Sequence, residues 1–403
     1  MSRLSTPHKL VLLGALYLAQ GLPYGFFTQA LPVLLRKLGM SLEDIGLASL
    51  LALPWALKFL WAPVVDRTAT PRRWILGLQA AAAALALTLA WLDPDVGAGL
   101  ELLLAAVLLT NLVAATQDVA TDGLAVALLR REERGVGNGV QVAGYRVGMI
   151  LGGGLLLIVF DRWGWRPTLG GMAGFIALAS LPLLLARAVG STRRPRHVAP
   201  SLNPWSWVQR PGALGWVLVL VAFKFGDYLA QGMLRPWMVD AGLSMTSIGL
   251  MLGSAGFGAG LAGAVVGGAL VNPLGRRRAL VVFGFAAALG VGCYAACAHF
   301  GLTGVELWAA VVYEHFAGGL ATTALFTAMM DASRSEDAAT DYTLQASIVV
   351  FASGAGSALS GFGATALGYA GLFALGAGLA LLAPLLASLP PLTRITVPDQ
   401  EVS

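Results

Sequence analysis

Charged residues are scarce in this chain of 403 residues. Asp, Glu, Lys and Arg together make up 12% of the sequence, whereas hydrophobic residues make up 57%. Soluble domains carry about twice that charge, so the composition argues against a water-facing protein. The formal net charge is +5, but the basic residues are scattered between long apolar runs, and we therefore expect no binding to nucleic acid.

Cysteine and histidine are also rare. Cys293 and Cys297 lie four residues apart in one apolar run, so the sequence offers neither a disulfide framework nor a four-ligand zinc site. The four histidines are dispersed, and no phosphate-binding G-x-x-x-x-G-K-[ST] motif occurs. We therefore expect no metal, no cofactor, no catalytic residues of an intramembrane enzyme and no ATP-driven cycle.

Long apolar runs predict transmembrane helices. Taking about 20 residues as one bilayer crossing, the sequence predicts twelve spans, at 10–35, 45–65, 73–92, 100–128, 138–160, 167–187, 212–238, 246–271, 278–299, 304–330, 342–366 and 369–389. The first run is too long for a signal peptide and lacks a small-residue cleavage site, so we expect it to be retained. If both termini are cytoplasmic, 18 of the 26 Lys and Arg residues fall on that side, as the positive-inside rule requires.

The two halves of the sequence resemble each other. GMSLEDIGL at 39–47 reappears as GLSMTSIGL at 242–250, and PRRWIL at 71–76 has a counterpart in GRRRAL at 275–280. Such parallel repeats predict an all-α membrane protein of two pseudo-symmetric six-helix bundles, with a solute site near the bilayer midplane between them. The predicted domains are 1–187, a cytoplasmic linker at 188–211, 212–389 and a cytoplasmic tail at 390–403, in a chain expected to be monomeric.

Eight charged residues fall inside predicted spans, away from the first and last few positions of each span. A charge in hydrocarbon costs at least about 2.5–3.5 kcal/mol on insertion scales, so each one needs a partner, water or a function. Four of them are acids and four are bases, so their formal charges cancel. The acids are Asp118, Asp122, Asp227 and Glu314, and the bases are Lys58, Arg146, Lys224 and Arg235.

The acids of the span 100–128 lie on one helical face. Asn111, Asp118 and Asp122 are spaced i, i+7 and i+11, and Gln117 lies beside them. Two interpretations remain open. The carboxylate pair either carries a proton or forms a static ion pair with Arg146 or Lys58.

The span 212–238 carries a polar stripe that predicts a wet cavity. Its members are spaced i, i+3, i+4, i+7 and i+11, and they are Lys224, Asp227, Tyr228, Gln231 and Arg235. Lys224 and Asp227 are placed to neutralise each other. Arg235 either meets an anionic substrate, pairs at the outer gate or extends to the membrane interface.

Three further spans carry polar groups suited to hydrogen bonding, stacking or protonation. Tyr17, Gln20, Tyr24 and Thr28 share a face of the first span, where plain packing is the alternative role for the tyrosines. Gln141, Tyr145 and Arg146 lie in the fifth span, with Arg146 expected to neutralise a carboxylate of the fourth. Glu314 and His315 are adjacent in the tenth span, where a carboxylate beside an imidazole predicts a protonation site.

Several motifs resemble a known family. The run from Tyr17 to Arg67, which includes LKFLWAP, together with ATQDVATDGLAV at 115–126 and GNGVQVAGYRVGMILGGG at 137–154, resembles the branch of the major facilitator superfamily that contains muropeptide permeases, acetyl-CoA transporters and siderophore importers. The signature positions implied by this resemblance are Lys58, Asp66, Arg67, Gln117, Asp118, Asp122, Tyr145 and Arg146.

The resemblance also implies a cytoplasmic latch. Asp66, Arg67, Arg72 and Arg73 resemble the loop motif in which a carboxylate and bases hold helix ends in the outward-open state. In the second half, VNPLGRRR offers Asn272 where an acid is expected. We therefore expect the first latch to dominate.

The sequence thus predicts a secondary active transporter of the bacterial inner membrane that imports a siderophore or siderophore–iron complex together with protons. A muropeptide permease, or an exporter of the same fold, is the alternative. The proton-coupling candidates are Asp118, Asp122, Asp227, Glu314 and His315. The substrate-binding candidates are Tyr17, Gln20, Tyr24, Lys58, Gln117, Gln141, Tyr145, Arg146, Lys224, Tyr228, Gln231 and Arg235.

Overall fold

A computed structural model describes residues 4–27, 31, 51, 53–91, 99–186, 189, 206–335 and 337–389. The first copy of the repeat at 39–47, Thr28, most of the predicted linker and the predicted tail lie outside these residues. Within the described ranges the chain is helical and contains no β-strand. The all-α class predicted from the sequence is confirmed.

The described residues of the first half of the chain form eight helices, which we number in chain order. They are α1 (Thr6–Gly25), α2 (Leu53–Leu57), α3 (Ala62–Thr68), α4 (Pro71–Ala90), α5 (Gly99–Leu128), α6 (Arg134–Ile150), α7 (Leu156–Trp163) and α8 (Trp165–Leu185). A 3-10 turn at Lys58–Leu60 interrupts the second predicted span, and a π-helical turn at Leu151–Leu155 joins α6 to α7. A further 3-10 turn, Arg131–Glu133, precedes α6.

The part of the second half that the structure describes forms six helices. They are α9 (Ala213–Asp240), α10 (Met245–Ile248), α11 (Phe257–Leu274), α12 (Arg276–Phe300), α13 (Val305–Asp331) and α14 (Ala338–Ser388). A π-helical turn at Gly249–Gly256 joins α10 to α11. The helix α14 breaks at Gly368, where φ is 68°, and so covers the last two predicted spans.

Eight helical stretches of the described residues are long and apolar enough to cross a membrane. One of these stretches is α14, which corresponds to two predicted spans. Three predicted spans are not among these eight stretches: α1, the interrupted second span and α13. In α13 the polar side chains Glu314 and His315 lower the mean hydropathy.

The helices form two compact units. The first unit contains residues 1–129, 143–204 and 334–343, and the second contains 130–142, 205–333 and 344–403. Two helices therefore contribute to both units, since the first turns of α6 belong to the second unit and those of α14 to the first. Each unit has its own apolar core, built around Leu169 and Met172 in the first and around Tyr294 and Phe373 in the second.

Glycines on α1 and α6 set the packing of the first unit. A Cβ atom at Gly21 would collide with the carbonyl oxygen of Tyr145, and one at Gly148 with the carbonyl oxygen of Leu18. The two backbones therefore approach closely, as small residues allow in membrane helix pairs. Tyr24 of α1 lies next to Tyr145 of α6 beside this contact.

Arginines cap two helix C-termini. Arg72, at the start of α4, donates to the carbonyl oxygens of Leu183, Leu184 and Ala186 at the end of α8. In the second unit Arg277, at the start of α12, donates to the carbonyls of Ala387 and Ser388 at the end of α14. A cation at this position satisfies free carbonyls and the negative end of the helix dipole.

Candidate functional site

A buried ion pair lies at the centre of the first unit. The Nζ atom of Lys58 pairs with Oδ2 of Asp118, and the two side chains are only 5% and 11% exposed. Lys58 lies in the 3-10 turn between α2 and α3, so a break in the second predicted span positions its ammonium group. The same ammonium lies 5.8 Å from the ring centre of Trp55. The sequence offered Lys58 and Arg146 as partners for the carboxylates of α5. The structure pairs Lys58 with Asp118.

Asp122, one turn further along α5, has a different partner. The hydroxyl of Tyr17 donates to Oδ1 of Asp122 at 2.8 Å, and both residues are buried. On one face of α5, Asp118 thus contacts an ammonium group from the 3-10 turn, and Asp122 contacts a phenol from α1. The two neighbouring carboxylates therefore have a charged and a neutral partner, respectively.

Aromatic rings from three helices lie beside this polar cluster. The ring of Tyr24 meets that of Trp55 edge-on at 5.3 Å and that of Tyr145 at 5.7 Å. The indole of Trp55 donates to Asn111 Oδ1 at 3.2 Å, which orients its ring. Tyr145 and Arg146 are partly buried on α6. The first unit therefore combines flat aromatic surface with fixed charges.

Two predicted glutamines line a small cavity instead. Gln20 is 1% exposed, and neither its amide nitrogen nor its amide oxygen has a hydrogen-bond partner among the described residues. Gln20, Gln117 and Thr110 line a cavity of about 10 Å³ for the centres of water molecules, enough for about one water. Gln141 is buried on α6, in the part of that helix that belongs to the second unit.

The polar centre of the second unit joins α9 to α13. The amide nitrogen of Gln231 donates to Asp227 Oδ1 at 2.8 Å and to Glu314 Oε1 at 3.0 Å. The other oxygen of Glu314 accepts from the hydroxyl of Tyr294 at 3.0 Å. One amide therefore bridges two of the predicted proton-coupling carboxylates.

The imidazole of His315 completes this cluster. Its Nδ1 atom lies 2.8 Å from Glu314 Oε2 and 3.0 Å from the carbonyl oxygen of Val311. Both neighbours are acceptors, so Nδ1 carries the hydrogen, and the second nitrogen decides whether the ring is charged. Glu314 and His315, which the sequence predicts as a protonation site, are therefore in direct contact.

Lys224 and Arg235 differ in their surroundings. Lys224 donates to the hydroxyl of Thr322 at 3.0 Å and lies 5.9 Å from the ring centre of Tyr228. Lys224 and Asp227 both line a cavity of about 20 Å³ for the centres of water molecules. Arg235 is exposed and forms no ion pair within the described part of the chain.

The predicted latch residues are distributed over several contacts. Asp66 accepts from the backbone nitrogen and the hydroxyl of Thr340, at 2.8 and 2.7 Å, and thereby caps the first turn of α14. Arg72 binds the end of α8. Arg67 is partly buried, and Arg73 is exposed, with its backbone nitrogen bonded to the capping residue Thr70.

Asp331 was not predicted from the sequence. It ends α13, its side chain is 2% exposed, and its two oxygens pair with Arg134 and Arg276, each at 2.8 Å. Asn272 accepts from Arg276 and donates to the carbonyl of Glu132. Arg276 therefore bonds an amide at position 272 and obtains its carboxylate partner from the end of α13. Alignment of the two halves of the sequence could not reveal this arrangement.

Comparisons with known proteins show which proteins this chain is similar to. Residues 13–357 match the family model described as Major Facilitator Superfamily. An uncharacterized protein of Haemophilus influenzae is 30% identical over 369 residues, covering 87% of this chain and 86% of that protein. The anhydromuropeptide permease of Escherichia coli K12 is 29% identical over 339 residues, covering 81% of this chain and 68% of the permease.

A solved structure shares the fold. The outward-facing crystal structure of a bacterial homologue of the iron transporter ferroportin has a TM-score of 0.71 at 16% sequence identity, covering 95% of this chain and 98% of that chain. At this identity the likeness concerns the arrangement of helices and not the solute.

Proposed function

The chain belongs to the major facilitator superfamily, and we propose that it is a proton-coupled permease that imports anhydromuropeptides across the bacterial inner membrane. It is a multi-pass membrane transporter with the twelve-helix fold of that superfamily. The proposal on the solute is supported by the similarity to the Escherichia coli permease over most of the chain. The proposal on protons is supported by the carboxylates buried in each unit.

The observation that carries the proposal is the cluster of Tyr24, Trp55 and Tyr145 beside the Lys58–Asp118 pair. An amino-sugar peptide presents apolar faces of sugar rings together with amides and carboxylates. Aromatic rings bind the apolar faces of the sugars, and fixed polar groups bind the amides and carboxylates, as in most small-molecule sites. In our proposal the three rings contact the sugar, and Lys58 and Arg146 attract the peptide carboxylates.

The second unit supplies the proton site in this proposal. Its described ionisable groups at the cluster are Lys224, Asp227, Glu314 and His315, with the phenol of Tyr294 bonded to Glu314. Glu314 lies within hydrogen-bonding distance of three side chains, those of Gln231, Tyr294 and His315. In our proposal this cluster of two carboxylates, an ammonium group and an imidazole is where the coupling proton binds.

The order of substrates differs from the one expected from the sequence alone. A siderophore was the first expectation, but the relatives reported above include a permease for anhydromuropeptides and support the second. We therefore place the siderophore behind the muropeptide. The fold is compatible with either direction of flux, because function resides in the site and not in the fold.

A thermal-shift screen of the purified protein tests the choice of solute. A ligand that binds only the folded state raises the melting temperature, by an amount that grows with its concentration relative to Kd. We expect a shift with anhydromuropeptide and none with a ferric siderophore or an acyl-CoA. A shift with the siderophore alone would reverse the two assignments.

A further inference from the structure

The apolar interior of the first unit is divided into two clusters, and each of α1, α4, α5 and α8 contributes to both. The first cluster includes Leu22, Ala82, Val107 and Ile176. The second cluster includes Leu16, Ile75, Val119 and Leu183. On each of the four helices a short stretch of chain separates the position in one cluster from the position in the other. A layer of interior positions between the two clusters therefore crosses all four helices.

Buried polar side chains occupy this layer. Gln20 of α1, Gln79 of α4 and Gln117 of α5 lie between the two cluster positions of their helices, and all three are buried. On α8 the layer contains Ser180, whose hydroxyl donates to the carbonyl oxygen of Ile176 in its own helix at 2.9 Å. Each of the four helices thus adds one polar group to an otherwise apolar core.

Two of these amides lack a protein partner. In Gln20 and in Gln79, neither the amide nitrogen nor the amide oxygen has a hydrogen-bond partner among the described residues. A buried amide without partners is costly, because it loses its hydrogen bonds to solvent and gains none in return. Buried polar groups of this kind in native proteins are satisfied by ordered water. The layer therefore requires a ligand that both donates and accepts hydrogen bonds.

The cavity beside Gln20 has the size and the lining for such a ligand. It offers about 10 Å³ to the centres of water molecules, which is close to what one water molecule needs. The hydroxyl of Thr110 donates to the carbonyl oxygen of Ala106 at 2.8 Å, which leaves its oxygen free to accept a further bond. The described lining contains no charged residue, so an ion would be buried there without a counter-charge. The lining residues are Gln20, Thr110 and Gln117 with Ala19, Pro23, Ala82, Ala114, Met172 and Ile176.

The second unit contains a cavity at the repeat-equivalent place. At one constant shift along the sequence, four lining residues of the first cavity correspond to four lining residues of the second, which are Gln20 to Lys224, Ala114 to Gly318, Gln117 to Ala321 and Ile176 to Ala380. The same packing of helices thus leaves a cavity in both units. Lys224 provides a charge in the second cavity at the position where Gln20 provides a neutral amide in the first. The first cavity is therefore suited to a neutral ligand.

We propose that the first unit binds a water molecule in this cavity, held by the amide of Gln20 together with Thr110 and Gln117. Water donates to the amide oxygens and accepts from the amide nitrogens, so one molecule serves all three side chains. Water also re-forms its hydrogen bonds when its partners shift, so small movements of the four helices do not leave the Gln20 amide unpaired. The site is independent of the solute and of the proton site in the second unit.

Radiolytic footprinting of the full-length protein tests the site. X-rays split bound water into hydroxyl radicals, which oxidise adjacent methionines to the sulfoxide, and oxygen-18 water marks the product. Met172 lines the cavity and is only 3% exposed, whereas Met251 is 1% exposed and packs in the apolar core of the second unit. We expect labelled sulfoxide to form several-fold faster at Met172 than at Met251. Equal rates at the two methionines would overturn the proposal.

Gln20→Leu removes the amide that holds the water and keeps a side chain of similar size. Because apolar cavities of this size stay dry, we expect the oxidation rate of Met172 to fall to that of Met251. A rate at Met172 as high as in the parent would overturn the proposal, since the water would then not depend on Gln20. If Gln20→Leu fails to fold, the comparison of Met172 with Met251 in the parent decides the question alone.

Gln345→Leu is the matched control. Gln345 is also a fully buried glutamine, but both atoms of its amide bond directly to protein groups, which belong to Trp216, Met329 and Ser333. We expect this variant to leave the oxidation rate of Met172 as it is in the parent. An equal fall of that rate in Gln345→Leu and Gln20→Leu would overturn the proposal, because the loss would then not be specific to the cavity.

Discussion

The hydroxyl of Tyr17 donates a hydrogen bond of 2.8 Å to Asp122, joining α1 to α5 in the interior of the first unit. The next carboxylate on that face, Asp118, binds Lys58 instead. The first unit therefore contains two acids of the same helix with a neutral and a charged partner. This difference leads to separate predictions for the two positions.

Replacing Tyr17 by Phe removes one hydrogen bond to a buried acid and leaves the ring in place. Hydrogen bonds to charged groups contribute about 1.5–3 kcal/mol, so we expect the melting temperature to fall slightly and uptake to fall several-fold. Asp122→Asn is the companion variant, which keeps an acceptor for Tyr17. We expect it to lower uptake several-fold while the protein stays folded, because Asp122 lies in the unit that we propose binds the solute and not in the proposed proton site of the second unit. Normal uptake by Asp122→Asn would remove Asp122 from the mechanism.

Variants of the Lys58–Asp118 pair distinguish an effect on stability from an effect on transport. Lys58→Met leaves Asp118 buried without its ammonium, and such single removals cost about 3–5 kcal/mol. The double variant Lys58→Met with Asp118→Leu removes both charges, and we expect it to recover most of the melting temperature without recovering uptake. Melting curves and uptake assays on the same preparations check both parts. Recovery of uptake in the double variant would mean that the pair only holds helices together.

Asp227 and Glu314 share the amide of Gln231, and we expect their variants to differ. Asp227→Asn should stop uptake driven by a pH gradient but leave exchange of labelled for unlabelled solute, because exchange requires no net proton movement. Glu314→Gln loses an acceptor that serves three donors, so we expect both activities and the melting temperature to fall. Loss of exchange in folded Asp227→Asn would assign this residue to solute binding instead.

The packing of α1 on α6 predicts a contrast between two glycines. Gly148→Ala places a methyl group on the backbone of α1, whereas a Cβ atom at Gly77 on α4 has no neighbour within 4 Å. We expect Gly148→Ala to lower the melting temperature and uptake, and Gly77→Ala to be neutral or to stabilise by about 0.5–1 kcal/mol. A similar melting temperature for the two variants would contradict the close approach of α1 and α6.

Helical periodicity predicts part of this site. The spacing of Asp118 and Asp122 is enough to place both on one face, and the apolar runs are enough to predict the spans. The choice of Tyr17 as partner of Asp122 depends on how α1 packs, which is determined by glycine contacts with α6 that no spacing reveals. The role of Lys58 depends on a helix break, and Pro54 and Pro63 indicate only the region in which the span is interrupted.

Asp331 illustrates a different limit. The repeat correctly leads to Asn272 and to Arg276, and the acid is absent at the repeat-equivalent position. The carboxylate comes instead from the end of α13, 59 positions further along the chain. An acid that lies on a different helix in each half cannot be found by aligning the two halves. The proximity of Asp331 to Arg134 and Arg276 is therefore visible only in the fold.

The most direct test of the account is uptake of labelled anhydromuropeptide by proteoliposomes that contain the purified protein. We predict accumulation when the outside is more acidic than the lumen, little uptake without the gradient, and loss of accumulation when a protonophore is added. Uptake that is the same with and without the gradient would contradict proton coupling. Absence of uptake under a gradient that drives a ferric siderophore into the same vesicles would contradict the choice of solute.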